Sequence, residues 1–222
     1  MAAPGKSGNR PLLPLYRHLL QALGPQHWWP GDSAFEIALG ALLTQNTAWR
    51  NVEQALRNLR NRGWLQPEAV ATAPLEELEQ LLRPSGYYRQ KARRARDLAR
   101  WWLAHGGEEG LRSLPTETLR RELLRLKGIG PETADSILLY AFHRPVFVVD
   151  AYTRRILSRH GFPLPPDYEG LRKFMEDQLP RSVPLYQEFH ALLVAVGKHF
   201  CRRSPRCTGC PVADLWGPGQ GV

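Results

Sequence analysis

Apolar residues recur at three- and four-residue spacing through nearly the whole chain, and that periodicity leaves room for little besides helices. The pattern runs through 34–46, 50–60, 75–82, 90–104, 116–125, 132–142, 151–159, 168–178 and 185–199. Short separators carrying Gly, Pro, Asp or Ser divide these segments: Trp29-Pro30-Gly31-Asp32-Ser33, Pro84-Ser85-Gly86, His105-Gly106-Gly107 and Pro163-Leu164-Pro165-Pro166. Ser33 and Thr116 read as helix N-caps. Val146–Val149 is a plausible strand, but it is too isolated to make a sheet. The expectation is an all-α protein of two helical lobes. Residues 1–10 are small and polar and are expected to form a disordered tail, and the Pro/Gly-rich close at 211–222 is expected to wrap the surface.

Within this pattern one stretch carries more than helix. Leu126-Lys127-Gly128-Ile129-Gly130-Pro131-Glu132-Thr133-Ala134-Asp135 reads as helix, hairpin, helix. The hairpin glycines can take positive φ and let a bulky partner approach the backbone. Pro131 falls where a first helical residue needs no N–H. The amides of Gly128, Gly130 and the next helix start then face outward as an anion site suited to a phosphate. Further on, the apolar run Pro145-Val146-Phe147-Val148-Val149 ends at Asp150, a carboxylate expected near that site. A clamp for DNA backbone beside one partly buried acid suggests chemistry on DNA. The formal charge of +9 agrees, since nucleic acid is the usual partner of such a field. An acidic protein or a membrane surface would fit the charge equally well. With 222 residues, 43% apolar, there is material for one large or two small domains with a real core. No apolar run approaches a membrane span and no signal-peptide core is seen at the start, so a soluble, intracellular protein is expected.

With hairpin, carboxylate and a cysteine cluster in this order, the chain resembles the endonuclease III (helix-hairpin-helix, Gly/Pro…Asp) superfamily of DNA glycosylases, from about residue 12 to 216. Within it the chain looks most like the endonuclease III-type 3-methyladenine DNA glycosylases. Trp28-Trp29-Pro30, Leu43-Thr44-Gln45-Asn46-Thr47 and Pro84-Ser85-Gly86-Tyr87-Tyr88-Arg89-Gln90-Lys91-Ala92 carry that likeness together with the hairpin. The resemblance implies a six-helix barrel lobe at about 31–145, holding the helix-hairpin-helix at about 116–142. It implies a second lobe built from both termini, 11–30 plus 146–222, with DNA across the cleft between the lobes.

The resemblance also assigns roles. Asp150 falls at the family's essential aspartate, where a carboxylate stabilises the positive charge that builds on the sugar and orients or deprotonates water; it is equally an N-cap for the 151–159 helix. Glu132 lies where lyase members carry a lysine. A carboxylate forms no imine, so it is no nucleophile, and the chain is expected to be monofunctional. Glu132 otherwise complements a helix dipole. Trp28, Trp29, Pro30 and Trp49 suggest the pocket for an extruded base, since a cationic alkylpurine is attracted to tryptophan faces; at least one of these tryptophans is expected to be core, Trp28 first. Gln45 would fill the vacated space and Tyr87 would wedge the opposite strand; alternatively they are a helix C-cap and a loop aromatic. In the basic run Arg89, Lys91, Arg93, Arg94, Arg96, Arg100, most charges read as a solvated face. Arg89 and Lys91 are expected on phosphates, as is Lys127.

The three cysteines form Cys201-x5-Cys207-x2-Cys210, which resembles the family's iron–sulfur loop. The fourth thiolate should follow six residues after Cys210, and that residue is Trp216. A [4Fe–4S] cluster held by three thiolates and another group, zinc on three Cys and one His, or reduced thiols remain open. Arg202, Arg203 and Arg206 would grip phosphates in each case. A monovalent cation at the hairpin carbonyls is expected from the family. The function implied is that of a base-excision repair glycosylase on double-stranded DNA, acting as a monomer on alkylated purines. The alternatives are a glycosylase/lyase on oxidised pyrimidines and a non-catalytic binder of damaged DNA.

Overall fold

The computed structural model describes residues 11–217; the tail expected at 1–10 lies outside them, as do residues 218–222. In chain order the helices are α1 (Leu12–Leu23), α2 (Ala34–Leu43), α3 (Trp49–Arg62), α4 (Pro67–Thr72), α5 (Leu75–Leu82), α6 (Tyr88–Ala104), α7 (Gly107–Ser113), α8 (Thr116–Arg125), α9 (Pro131–Ser136), α10 (Ala151–Arg159), α11 (Tyr168–Asp177), α12 (Val183–His199) and α13 (Pro211–Trp216). A 3-10 turn at Arg83–Ser85 follows α5, and a π-type turn at Ile137–Ala141 widens α9, closed by Phe142 N donating to Ile137 O at 3.2 Å. Among the described residues there is no strand. The apolar run Val146–Val149 is buried but joins no strand, its Phe147 amide donating to Glu176 Oε1.

The periodic segments became helices with ends shifted by a few residues, and the separators account for several of those ends. Ser33 accepts from the Glu36 amide at 3.1 Å and starts α2. Thr116, expected to cap α8, is its first residue; Pro115 takes the cap position with no side-chain bond. Four helices fall outside the periodic segments: α1, α4, α7 and α13. The last replaces much of the surface wrap expected at 211–222, because Pro211 suits a first helical turn.

The chain divides into two compact units. Trp29–Arg144 forms one of them. Its core is built on α2, buried along nearly its whole length, and on the inner face of α6, where Trp102 meets Phe35 edge-on at 5.4 Å. Arg120 on α8 and Asp135 on α9 make a buried, bidentate pair at 2.6 and 3.0 Å that clamps the two helices of the hairpin. The other unit joins the described residues up to Trp28 with those from Pro145 onward. There Leu12, Leu15 and Leu19 of α1 are fully buried, each worth about 1.5–3 kcal/mol. Phe147 packs edge-on against Tyr186 and Phe189 of α12. Gly197 lets α10 lie close on α12: a Cβ there would stand 2.2 Å from the Tyr152 ring.

Candidate functional site

The hairpin is built as its sequence dictates, with one difference. Gly128 takes φ +90°, which favours glycine, and a Cβ on it would also meet the Arg94 guanidinium, which would have to shift. Gly130 is extended at φ −92°, with nothing near the place of a Cβ; it keeps the exposed face open rather than making the turn. Among the described residues no acceptor takes the amide of either glycine, whereas Ile129 N turns inward to Leu126 O at 3.0 Å. Lys127 and Gly130 are exposed, and so is Glu132 in the first turn of α9. The hairpin carbonyls are less open. Gly128 O accepts Gln45 Nε2 at 2.8 Å, and those of Leu126 and Gly130 accept backbone amides.

Gln45 lies back on this hairpin. Its Nε2 also donates to Thr133 Oγ1 at 3.0 Å, and its Oε1 accepts from Arg94 at 3.2 Å. Tyr87 is 71% exposed and sits in the left-handed region at φ +45° directly after Gly86 at φ +69°. A bulky side chain in that conformation is strained and is retained only where its surroundings hold it. Arg89 is exposed beside it, with Glu79 at 3.9 Å.

Lys91 departs from expectation. It is 2% exposed, and its ammonium donates to Leu43 O, Gln45 O and Ser85 O at 2.8, 2.8 and 2.7 Å. With all three donors spent on backbone, it cannot reach a phosphate. The helix turns about 200° between Arg89 and Lys91, which puts the first in solvent and the second inside. Burial and the Arg94 charge push the amine down to about 8.

The aromatic set separates. Trp29 meets Trp49 edge-on at 5.2 Å and Tyr140 at 5.3 Å within the Trp29–Arg144 unit. Trp28 belongs to the other unit, half-buried beneath Lys198 Nζ at 5.4 Å, so it is not the core residue expected. Pro30 is exposed. Tyr140 went unrecognised because it reads as one more apolar position of the 132–142 segment.

Asp150 caps α10, its Oδ1 accepting from Thr153 N at 2.7 Å. Its Oδ2 faces His190 Nε2 at 3.8 Å, an ion-pair rather than a hydrogen-bond distance. Burial pushes this carboxyl up, but His190 and the Thr153 amide outweigh it and hold the pKa below the ordinary carboxylate value. The group is therefore an anchored carboxylate at neutral pH. His190 was also missed, since a single histidine on the apolar face of α12 reads as core.

Cys201, Cys207 and Cys210 line one cavity with Arg159, His160 and Arg206. Arg159 donates to Cys201 Sγ at 3.4 Å and to the carbonyls of Arg202 and Arg203; Arg155 donates to Cys201 O at 2.7 Å. Trp216, at the place of a fourth thiolate, packs on Phe162 and His160. Among the described residues no three His, Cys, Asp or Glu side chains gather as metal ligands. The donors present do not make the four-thiolate cradle of a [4Fe–4S] cluster. Arg202, Arg203 and Arg206 are exposed on the loop. Among the described residues no helix is long and apolar enough to cross a membrane.

Comparisons with known proteins agree with this architecture. The family model described as HhH-GPD superfamily base excision DNA repair protein matches residues 39–181. A protein of Methanocaldococcus jannaschii, named as a DNA repair glycosylase, is 40% identical over 205 residues, covering 90% of this chain and 93% of its own. Endonuclease III of Bacillus subtilis is 30% identical, covering 85% of this chain and 83% of its own. Among solved structures, Helicobacter pylori 3-methyladenine DNA glycosylase bound to 1,N6-ethenoadenine superposes with a TM-score of 0.73 at 32% identity, over 84% of this chain and 95% of that one. A non-covalent endonuclease III–DNA complex superposes with a TM-score of 0.78 at 26% identity, over 92% and 93%.

Proposed function

Because the chain belongs to the HhH-GPD superfamily of base excision DNA repair proteins, we propose that it is a monofunctional DNA glycosylase that removes alkylated purines of the 3-methyladenine type from damaged double-stranded DNA. The observation that carries this reading is Asp150, a carboxylate kept ionised by its N-cap bond and by His190. As the glycosidic C–N bond breaks, its electron pair leaves with the purine and the sugar carbon gains positive charge. The Asp150 carboxylate stabilises that charge and takes the proton of the attacking water, leaving free base and an abasic site.

Glu132 supports hydrolysis over imine chemistry. It occupies the second position of α9, and a carboxylate there cannot attack the sugar to form a Schiff base. The cluster of Trp29, Trp49 and Tyr140 offers flat, electron-rich faces to a cationic base. The likeness to a glycosylase named for 3-methyladenine favours the same substrate class. Phosphates would be held by the hairpin amides, Lys127, Arg89 and the arginines of the cysteine loop, so binding should weaken steeply with salt. That loop keeps its form through Arg155 and Arg159, and a metal on it would need a donor that Trp216 does not supply.

The test is release of free base from a methylated duplex by wild type and Asp150→Asn, with nicking scored before and after alkali. Wild type should release base and nick only after alkali. Asp150→Asn should fall by about 100-fold or more. Nicking without alkali would overturn the monofunctional assignment and point to a lysine, Lys127 first. Release confined to oxidised pyrimidines would overturn the substrate class.

A further inference from the structure

The surroundings of Lys91 point to a part in the reaction that its place in a basic run conceals. We infer that its buried ammonium sets the positions of both loops that carry Gln45 and Tyr87, so that the two side chains enter the duplex as one device. The inference rests on the proposed glycosylase function and on the roles the family resemblance implies, Gln45 filling the vacated space and Tyr87 holding the opposite strand aside.

Three donors meet three carbonyls from two separate loops. Leu43 O is an orphan carbonyl at the end of α2, and Gln45 O belongs to the filling residue itself. Ser85 O lies just before Gly86 and Tyr87. The Lys91 backbone amide meanwhile donates to Tyr87 O at 3.0 Å. One residue thus holds the filler loop by its head and the wedge loop by both head and backbone. A buried cation costs free energy unless it is matched. Here the carbonyl end of α2 supplies the match, carrying partial negative charge. The consecutive left-handed residues Gly86 and Tyr87 need such restraint to keep an exposed aromatic in a strained conformation. Replacing the ammonium by an apolar group would leave three carbonyls without their donor and let the loops move independently.

The experiment compares two substrates: a methylated purine in a normal pair, and the same lesion opposite an abasic site. In the second no partner base has to be held aside, so the wedge has nothing to do. Lys91→Met should lose about 10- to 100-fold in release from the paired lesion and less than about threefold from the unpaired one, the size expected when positioning slips by an ångström. Lys91→Met added to the pair Tyr87→Ala and Gln45→Ala should cost no further release from the paired lesion. Equal losses on both substrates would overturn the inference and reduce Lys91 to support of the fold. A further loss in the triple variant would overturn it as well. If Lys91→Met does not fold, Lys91→Gln, which keeps two donors on a shorter stem, takes its place with the same criteria. The underlying reading is tested separately by Tyr87→Ala and Gln45→Ala. If neither changes the ratio between the two substrates, these side chains do not enter the duplex, and that reading fails rather than the geometry of Lys91.

Discussion

The hairpin and the cysteine loop are both irregular connections held by a buried guanidinium, yet the restraint reaches them from different distances. In the hairpin, Arg120 grips Asp135 only 15 residues away, so helix, turn and clamp form one local unit. In the cysteine loop, Arg159 grips backbone carbonyls 43 and 44 residues away, and Arg155 reaches Cys201 O across 46. A local clamp is carried by its own motif and stands or falls with it. A remote clamp holds its loop independently of the residue at Trp216, where the family resemblance implies a fourth thiolate.

The largest effect should come from breaking the local clamp. Arg120→Met takes the guanidinium from the fully buried Asp135 carboxylate, and removal of one partner of a buried ion pair costs about 3–5 kcal/mol. Denaturant unfolding should show that loss, and Arg120→Met with Asp135→Leu should recover much of it. A loss below about 1 kcal/mol would mean that the hairpin is held by something other than this pair, and the contrast with the cysteine loop would dissolve.

The same contrast explains what could be seen in the chain. Helices with amphipathic periods, the turn at Gly128, Pro131 at the start of α9 and the cap at Asp150 are all set by neighbours within a few residues, and each was visible. Helices α4 and α7 are too short to show a period. The fate of Lys91 turned on carbonyls 46 and 48 residues away, which no local pattern records. His190 and Tyr140 were hidden for a related reason: a polar group on an apolar helix face looks like core until its partner, here Asp150 or Trp29, is placed beside it. The cysteine spacing was legible as a motif, but the departure at Trp216 could not say what replaces the missing ligand.

A smaller effect is expected from breaking the remote clamp. Arg159→Met removes donors from the part-buried carbonyls of Arg202 and Arg203, with a cost of about 0.5–1.5 kcal/mol for each hydrogen bond lost. Limited proteolysis should then cut within 202–206 faster than in wild type. Treating the wild type with a chelator should leave that cleavage rate unchanged, because the guanidinium does not depend on a metal. Faster cleavage after chelation would show that a metal shares the restraint.

The smallest effect sharpens the comparison at a third place, the Asp150 cap, where one local bond and one remote partner act on the same carboxylate. The amide of Thr153 is three residues away and His190 is forty. The folded carboxyl titrates below its ordinary value near 3.8, burial being outweighed by these two partners. The cap therefore contributes its full stability, about 1 kcal/mol, above that ordinary value. The contribution fades as pH falls through the lower folded value. His190→Leu should leave the Thr153 bond in place and raise the folded value, so the acid limb of base release should move to higher pH while the rate at neutral pH changes less. Rate profiles from pH 3 to 8 on a methylated duplex would show the shift. An acid limb that stays put would assign the low titration of Asp150 to the Thr153 amide, and this carboxylate would then be governed wholly from within its own helix.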